Sequence, residues 1–309
     1  MSRILVTGGA GFIGSHLVRN LVAGGHEVAL LVRPTTSLER LGDSVNSVRL
    51  VKADLAEPAL AMASMAPWKP EACAHLAWYG DPRTYLVSRE NLAELAASLT
   101  FLSHLLDAGC SRLLVTGTCA EYETSDEPLT EESPTRPGTL YAAAKLSLKL
   151  LAGQLAAESG ASLAWARIFH LYGPYEHQQR LVPAVIRTLL DGREFAATAG
   201  TQVRDYMHVA DVASALAALI ERGSYGTFNV CSGKPVTVHE VIGTIADIVG
   251  RADLVKFGAV ATRPWDPPSL RGDNARLVAE TGWRPARELG DGLEQTVTWW
   301  RSRDTTELT

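Results

Sequence analysis

Through the first half of the chain, short runs of β-branched and aliphatic residues alternate with longer amphipathic stretches. Residues 4–7, 27–32, 48–52, 72–76, 112–116 and 162–169 read as strands, and residues 14–23, 91–108 and 140–158 carry helical periodicity between them. Such regular alternation predicts an α/β chain with a doubly wound parallel sheet. Segments rich in turn residues, 123–138, 172–180 and 262–273, fall outside this rhythm. They are expected to build loops and a smaller lobe over the sheet's carboxyl edge. The expected division places residues 1–170 in the sheet domain, with 204–230 returning to it, and 171–203 and 231–309 in the lobe.

Two of the helices are apolar on more than one side. In 91–108, Leu92, Leu95, Leu99, Leu102 and Leu106 form one stripe, and Ala97, Phe101 and Leu105 a second. In 140–158, Ala144, Leu148, Leu151 and Leu155 face one way, and Leu146, Leu150 and Ala157 another. A surface helix needs a single apolar stripe. The second stripes are expected to meet in a homodimer through helices 91–108 and 140–158, packed as a four-helix bundle. Coverage by the chain's own lobe is the alternative.

Composition narrows the picture. The 309 residues are 46% hydrophobic and 20% charged, enough for one large domain or two unequal ones. A net charge of -5 gives no electrostatic footprint for nucleic acid or an anionic membrane. Cys73, Cys110, Cys119 and Cys231 are scattered without metal-ligand spacing, so a reduced, cytoplasmic setting and no metal are expected. No apolar run is long enough to span a bilayer, and the first residues enter a strand without a basic leader.

Thr7-Gly8-Gly9-Ala10-Gly11-Phe12-Ile13-Gly14 joins the first strand to the first helix. Glycines at 8, 11 and 14 permit a tight turn and close backbone approach to a pyrophosphate, which the helix N-terminus attracts. The loop therefore predicts a Rossmann-type dinucleotide site. The second strand ends in Arg33-Pro34-Thr35-Thr36-Ser37 rather than in the acidic residue that bonds an NAD ribose. A guanidinium there suits a 2′-phosphate, so NADP (as NADPH) is the expected cofactor, with NAD as the alternative.

Tyr141 and Lys145 stand four residues apart and share a helix face. A nearby ammonium is expected to lower the tyrosine pKa toward working pH, as proton transfer to a carbonyl or alkoxide requires. With Thr118 at the end of the fifth strand and the glycine loop, these residues give the chain its resemblance to the extended short-chain dehydrogenase/reductase family of nucleotide-sugar epimerases, dehydratases and ketoreductases. Further matches are Ala53-Asp54-Leu55, His75-Leu76-Ala77, Arg167–Pro174, Arg204–Val212 and Gly282-Trp283-Arg284-Pro285. The resemblance implies that Thr118 holds the reacting oxygen, Tyr141 is the acid/base, and Lys145 binds the nicotinamide ribose and tunes the tyrosine. It implies that Asp54 and Leu55 line the adenine pocket and that Leu76 and Ala77 run beside the cofactor. Arg204 and Arg263 would hold the diphosphate of a sugar nucleotide, with Cys119, His170 and Arg180 also facing the substrate.

The chain departs from the family pattern at two places. His170 stands where Asn is usual, as a replacement contact to the substrate phosphates or a structural histidine. Dehydratases carry Thr-Asp-Glu where this chain has Thr118-Cys119-Ala120, and its carboxylate, Glu121, comes one residue late, facing the other way on a strand. These features point to NADPH-dependent reduction of a keto group, at carbon 4 of a nucleotide-activated 4-keto-6-deoxy sugar. A 4-epimerase with tightly bound NAD is the rival reading, and a non-catalytic NADP-binding regulator a further one.

Overall fold

A computed structural model describes residues 1–65, 67–262 and 266–304 of the chain. Six strands follow the expected rhythm: β1 (Arg3–Thr7), β2 (Glu27–Val32), β3 (Val48–Lys52), β4 (Ala72–His75), β5 (Arg112–Thr118) and β6 (Ser162–Ile168). With Gly226–Val230 they form one sheet in the order Gly226–Val230, β6, β5, β4, β1, β2, β3, every neighbouring pair parallel. The order reverses beside β1, the place where doubly wound sheets open a crevice for ligands at their carboxyl ends. The chain has this Rossmann-like α/β fold.

Alternation along β1 sends side chains to two separate cores. Ile4 and Val6 join Leu17, Leu21, Val212 and Leu216 beneath helices Phe12–Ala23 and Val209–Arg222. Leu5, between them, faces Phe101, Leu105 and Leu148 beneath helices Glu90–Asp107 and Leu140–Glu158. β5 runs two residues beyond its expected end because Gly117 can lie flat there. A Cβ on Gly117 would stand 2.1 Å from the Trp165 indole nitrogen and 2.5 Å from Glu121 Oε1.

The smaller lobe has its own apolar centre, with Tyr172, Val182, Ile186, Val241, Ile245, Leu293 and Val297. Strand Val203–His208 pairs with His170–Tyr172, Pro235–Thr237 and Ser269–Leu270, placing Arg204 and His170 on a small sheet beside the main one. A division at residue 231 is not clean. Leu277 lies in the core under β1, and Trp283 packs against it, so the chain crosses back to the sheet domain after residue 274. Among the described residues no helix is long and apolar enough to cross a membrane, and no cluster of three or more His, Cys, Asp or Glu could hold a metal ion.

The two double-faced helices pack on each other and on the sheet. Phe101 and Leu105, placed by periodicity on a second stripe, are buried by the chain itself together with Leu102 and Leu106. Eighteen residues under a twisted sheet bury a wider arc than one stripe. The exposed large apolar side chains of these helices are instead Leu92, Leu150 and Leu151, the last from the same stripe as the buried Ala144 and Leu148.

Candidate active site

The glycine loop is built by close contact. Gly8 has φ +70°, and a Cβ on it would meet the Ala77 backbone nitrogen at 2.7 Å. A Cβ on Gly14 would stand 2.1 Å from the Gly8 carbonyl oxygen, which itself accepts from the Gly11 N–H at 2.9 Å. Helix Phe12–Ala23 therefore starts hard against β1, with Phe12 and Ile13 in its first turn and its amide groups at the crevice. The residues around it fit a dinucleotide. Arg33 is exposed at the end of β2 and forms no salt bridge among the described residues. Leu55 packs on the second core and Leu76 on the first, each half-buried at the crevice edge. Ala77 donates its N–H to Thr7 Oγ1 at 3.2 Å, and Asp54 turns its carboxylate to the Ala56 N–H of its own loop at 3.0 Å.

Across the crevice, Thr118 ends β5 and Tyr141 and Lys145 project from helix Leu140–Glu158, whose start is capped by Thr139 accepting from the Ala142 N–H. The Thr118 side chain lies near enough to Tyr141 to act as its hydrogen-bond partner and favour the phenolate. Burial overrides it and pushes the Tyr141 pKa up, with the Tyr85 phenol next in effect. The expected lowering by Lys145 is therefore not the arrangement here. The lysine, itself buried, donates Nζ–H to the Thr116 carbonyl at 3.0 Å and sits 3.9 Å from the centre of the Trp78 ring. Desolvation brings its pKa down to about 7, opposed by Glu121 and Glu94.

Cys119 is buried beside Phe169 and Cys231, its thiol pushed up to about 12 by burial. Glu121 turns inward, though not by strand alternation: β5 ends at Thr118, and Cys119–Glu121 form a short 3-10 helix that Thr118 caps. Its Oε1 accepts from the Thr118 N–H at 2.8 Å and from Trp165 Nε1 at 3.1 Å, while Oε2 accepts from Arg167 Nε at 2.8 Å. Glu121 thus holds Thr118 from behind, and its own carboxylate is taken up by these partners.

On the small sheet, His170 stands among Arg204, Arg180 and Tyr206, the Tyr206 ring 5.5 Å away. Burial first, then the two arginines, hold the imidazole neutral with a pKa of about 3, and its Nδ1 has no partner. Arg204 is not a free fork. It donates to Asp266 Oδ1 at 2.6 Å and to the Val203 carbonyl at 2.8 Å, so an incoming diphosphate would share it with that carboxylate. Arg180 donates to the Tyr85 hydroxyl at 3.4 Å. Arg263 lies outside the described residues.

Residues that the sequence reading passed over also meet here. Asn91, fully buried, accepts from Trp78 Nε1 at 2.8 Å and donates to the carbonyls of Tyr85 at 2.7 Å and Ser88 at 2.8 Å. An amide among the leucines of a helix's first turn was the available signal. Glu176 is 9% exposed, its Oε2 without a partner, and burial raises its pKa to about 8 against the opposing charge of Arg180.

Residues 4–231 match the family described as NAD dependent epimerase/dehydratase. The chain belongs to this family. It is 29% identical to a dTDP-glucose 4,6-dehydratase of Actinoplanes sp., over 97% of this chain and 98% of that protein. It is 28% identical to a dTDP-4-dehydro-6-deoxy-D-allose reductase of Streptomyces sp., over 96% of each. Among solved structures, a dTDP-glucose 4,6-dehydratase from Streptomyces venezuelae with NAD bound superposes with a TM-score of 0.88 at 30% identity, over 98% of both chains. A UDP-glucose 4-epimerase from Thermotoga maritima with UDP-glucose also gives 0.88, at 25% identity over 97% of this chain and 99% of that one. The protein is an enzyme of the nucleotide-sugar epimerase/dehydratase group, and these relatives span three different reactions.

Proposed function

We propose that this enzyme reduces a keto group, at carbon 4 of a nucleotide-activated 4-keto-6-deoxy sugar, with NADPH. One observation speaks against dehydration, and Arg33 in place of an acid after β2 favours net reduction over epimerisation with resident NAD. At the mouth of β5, Cys119 and Ala120 stand where dehydratases carry acids, and the neighbouring carboxylate, Glu121, is committed to Arg167, Trp165 and the Thr118 amide. Neither position 119 nor 120 offers an acid to expel water from carbon 6.

In this reading Gly8, Gly11, Phe12, Ile13 and Gly14 receive the coenzyme's pyrophosphate, and Arg33 its 2′-phosphate. Asp54 and Leu55 border the adenine, Leu76 and Ala77 border the nicotinamide end, and Lys145 serves its ribose. A dihydronicotinamide bound there supplies the hydride. Tyr141 gives the proton, and the burial that raises its pKa keeps it in the protonated form that reduction uses at neutral pH. Thr118 steadies the developing alkoxide with its hydroxyl. Arg180, Arg204 and His170 face the diphosphate, with Cys119 beside the sugar, and Arg263 is assigned to the diphosphate from the sequence alone.

A panel of nucleotide-linked 4-keto sugars tests the reading, with NADPH oxidation followed spectroscopically and the product identified by NMR. Absence of NADPH oxidation on the whole panel would count against it. Arg33→Asp should raise the KM for NADPH far more than for NADH, and native protein using both coenzymes equally would remove the argument for NADP. NAD as the alternative coenzyme draws support from the Streptomyces venezuelae dehydratase structure, and a 4-epimerase would hold it tightly. Tightly held NAD released on denaturing the purified protein would favour the epimerase reading. Leu92 on one of the two packed helices and the adjacent Leu150 and Leu151 on the other, all exposed, support a homodimer through 91–108 and 140–158.

A further inference from the structure

The loop between β4 and helix Glu90–Asp107 is pinned over the catalytic tyrosine. Asn91 ties Trp78, Tyr85 and Ser88 together, and the Tyr141 N–H donates to the Leu86 carbonyl at 3.1 Å. The result places the Tyr85 ring edge-to-face with Tyr141, centroids 5.0 Å apart. From the other lobe, Arg180 reaches the same residue, Nη1 donating to the Tyr85 hydroxyl and the guanidinium carbon lying 4.8 Å from the ring centre.

That contact has a direction. A guanidinium has donors only, so the Tyr85 oxygen is the acceptor and its own O–H hydrogen is left over. Among the described residues no acceptor takes that hydrogen. A phenol that accepts from a cation is also polarised into a stronger donor. The site therefore carries a second oriented phenol beside Tyr141. A carbonyl oxygen has two lone pairs, and in the reading above Tyr141 and Thr118 use both. A third donor at this end of the crevice must serve a different oxygen.

We infer that Tyr85 is a specificity residue whose hydroxyl donates to an oxygen on the sugar carbon next to the reacting carbonyl. The site then selects sugars that keep a hydroxyl at that neighbouring carbon and rejects those deoxygenated there. A deoxy sugar would leave the polarised phenol enclosed without an acceptor, a penalty that binding cannot recover. This inference rests on the reductase reading for the identity of the reacting carbon.

The test is a two-by-two comparison. kcat/KM is measured for NADPH oxidation on a dTDP-linked 4-keto-6-deoxy sugar and on its 3-deoxy counterpart, with native protein and with Tyr85→Phe. Native protein should prefer the hydroxylated sugar by about tenfold or more, and Tyr85→Phe should bring the ratio to about one, mainly by losing rate on the hydroxylated sugar. Native protein without the preference, or a preference undiminished in Tyr85→Phe, would overturn the inference. The same ratio is read without turnover from calorimetric affinities of the coenzyme-loaded protein for dTDP-glucose and dTDP-3-deoxyglucose. A binding ratio that vanishes in Tyr85→Phe supports the inference even when no keto sugar is reduced, which would count against the reductase reading alone. Unchanged NADPH affinity shows that the variant is folded. Should Tyr85→Phe not fold, Arg180→Met is the second variant, and it should reduce the same ratio by about threefold or more because the phenol loses its polarising partner. An unchanged ratio in Arg180→Met would again overturn it.

Discussion

Glu121 and Arg167 form a fully buried ion pair, Oε2 to Nε 2.8 Å, with neither side chain more than 1% exposed. The pair closes the space beneath Thr118, and Arg167 also lies 4.2 Å from the centre of the Tyr122 ring. Removing one charge strands the other. Glu121→Gln keeps the shape but leaves the guanidinium without a counter-ion, and should lower stability by about 3–5 kcal/mol in urea unfolding. Adding Arg167→Met should restore part of that loss, because two absent charges are tolerated better than one unpaired. A Glu121→Gln protein as stable as native would mean the pair contributes nothing.

The proton-transfer assignment makes a different demand. Tyr141→Phe keeps the ring that packs against Tyr85 and removes the hydroxyl, so NADPH affinity and the melting temperature should stay close to native. Turnover should fall by about 10²-fold or more, the usual scale of general acid catalysis. Thr118→Val should lower turnover with little change in NADPH affinity. Lys145→Met should lose activity and weaken coenzyme binding together. Retention of most turnover by Tyr141→Phe would remove the tyrosine from the chemistry.

The exposed leucines bear on assembly. Leu150 is 62% exposed and Leu151 50%, on a helix whose opposite face is sealed by Ala144, Leu148 and Ala152. Replacing both with glutamate should convert a dimer into a monomer without unfolding it, since neither side chain contributes to the chain's own core. Light scattering at micromolar concentration is the check. A monomeric native protein would dismiss the interface.

Much of this was legible before any coordinates. The strand positions emerged from local composition because parallel strands are short, apolar and separated by helices, and the glycine loop and the Tyr141–Lys145 spacing are local facts. The inward turn of Glu121 was expected from strand alternation, but it arises in the short 3-10 helix after β5, where Glu121 and Thr118 cap one another. What stayed hidden depends on distant partners. Periodicity could not tell that Phe101 and Leu105 are covered by the chain's own sheet while Leu151 is not. The Tyr141 pKa was read from Lys145, one turn away, whereas burial and Tyr85, 56 residues upstream in sequence, govern it. That Arg204 shares its charge with Asp266 was hidden as well, because Asp266 is distant in sequence and is brought beside it by the pairing of Ser269–Leu270 with Val203–His208.

Glu176 should make stability depend on pH in a way that a single substitution removes. Its carboxyl is enclosed in the turn after Gly173, with Oε2 unpaired, and burial raises its pKa to about 8 from an ordinary 4.5, Arg180 opposing only in part. Between those two values the folded protein holds a proton that the unfolded chain has released. Stability contributed by this group is therefore fully present below about pH 4.5 and is lost as pH rises toward 8. Glu176→Gln has the shape of the protonated acid and no such dependence. The variant should thus unfold much like native protein at pH 5 and gain on it steadily up to pH 8, by about 1–3 kcal/mol at the upper end once relaxation of the buried site is allowed for. Urea unfolding of both proteins across that range reads the difference directly, at fixed ionic strength to keep surface charges equally screened. A stability difference that stays flat with pH would show that Glu176 ionises at its ordinary value in the fold.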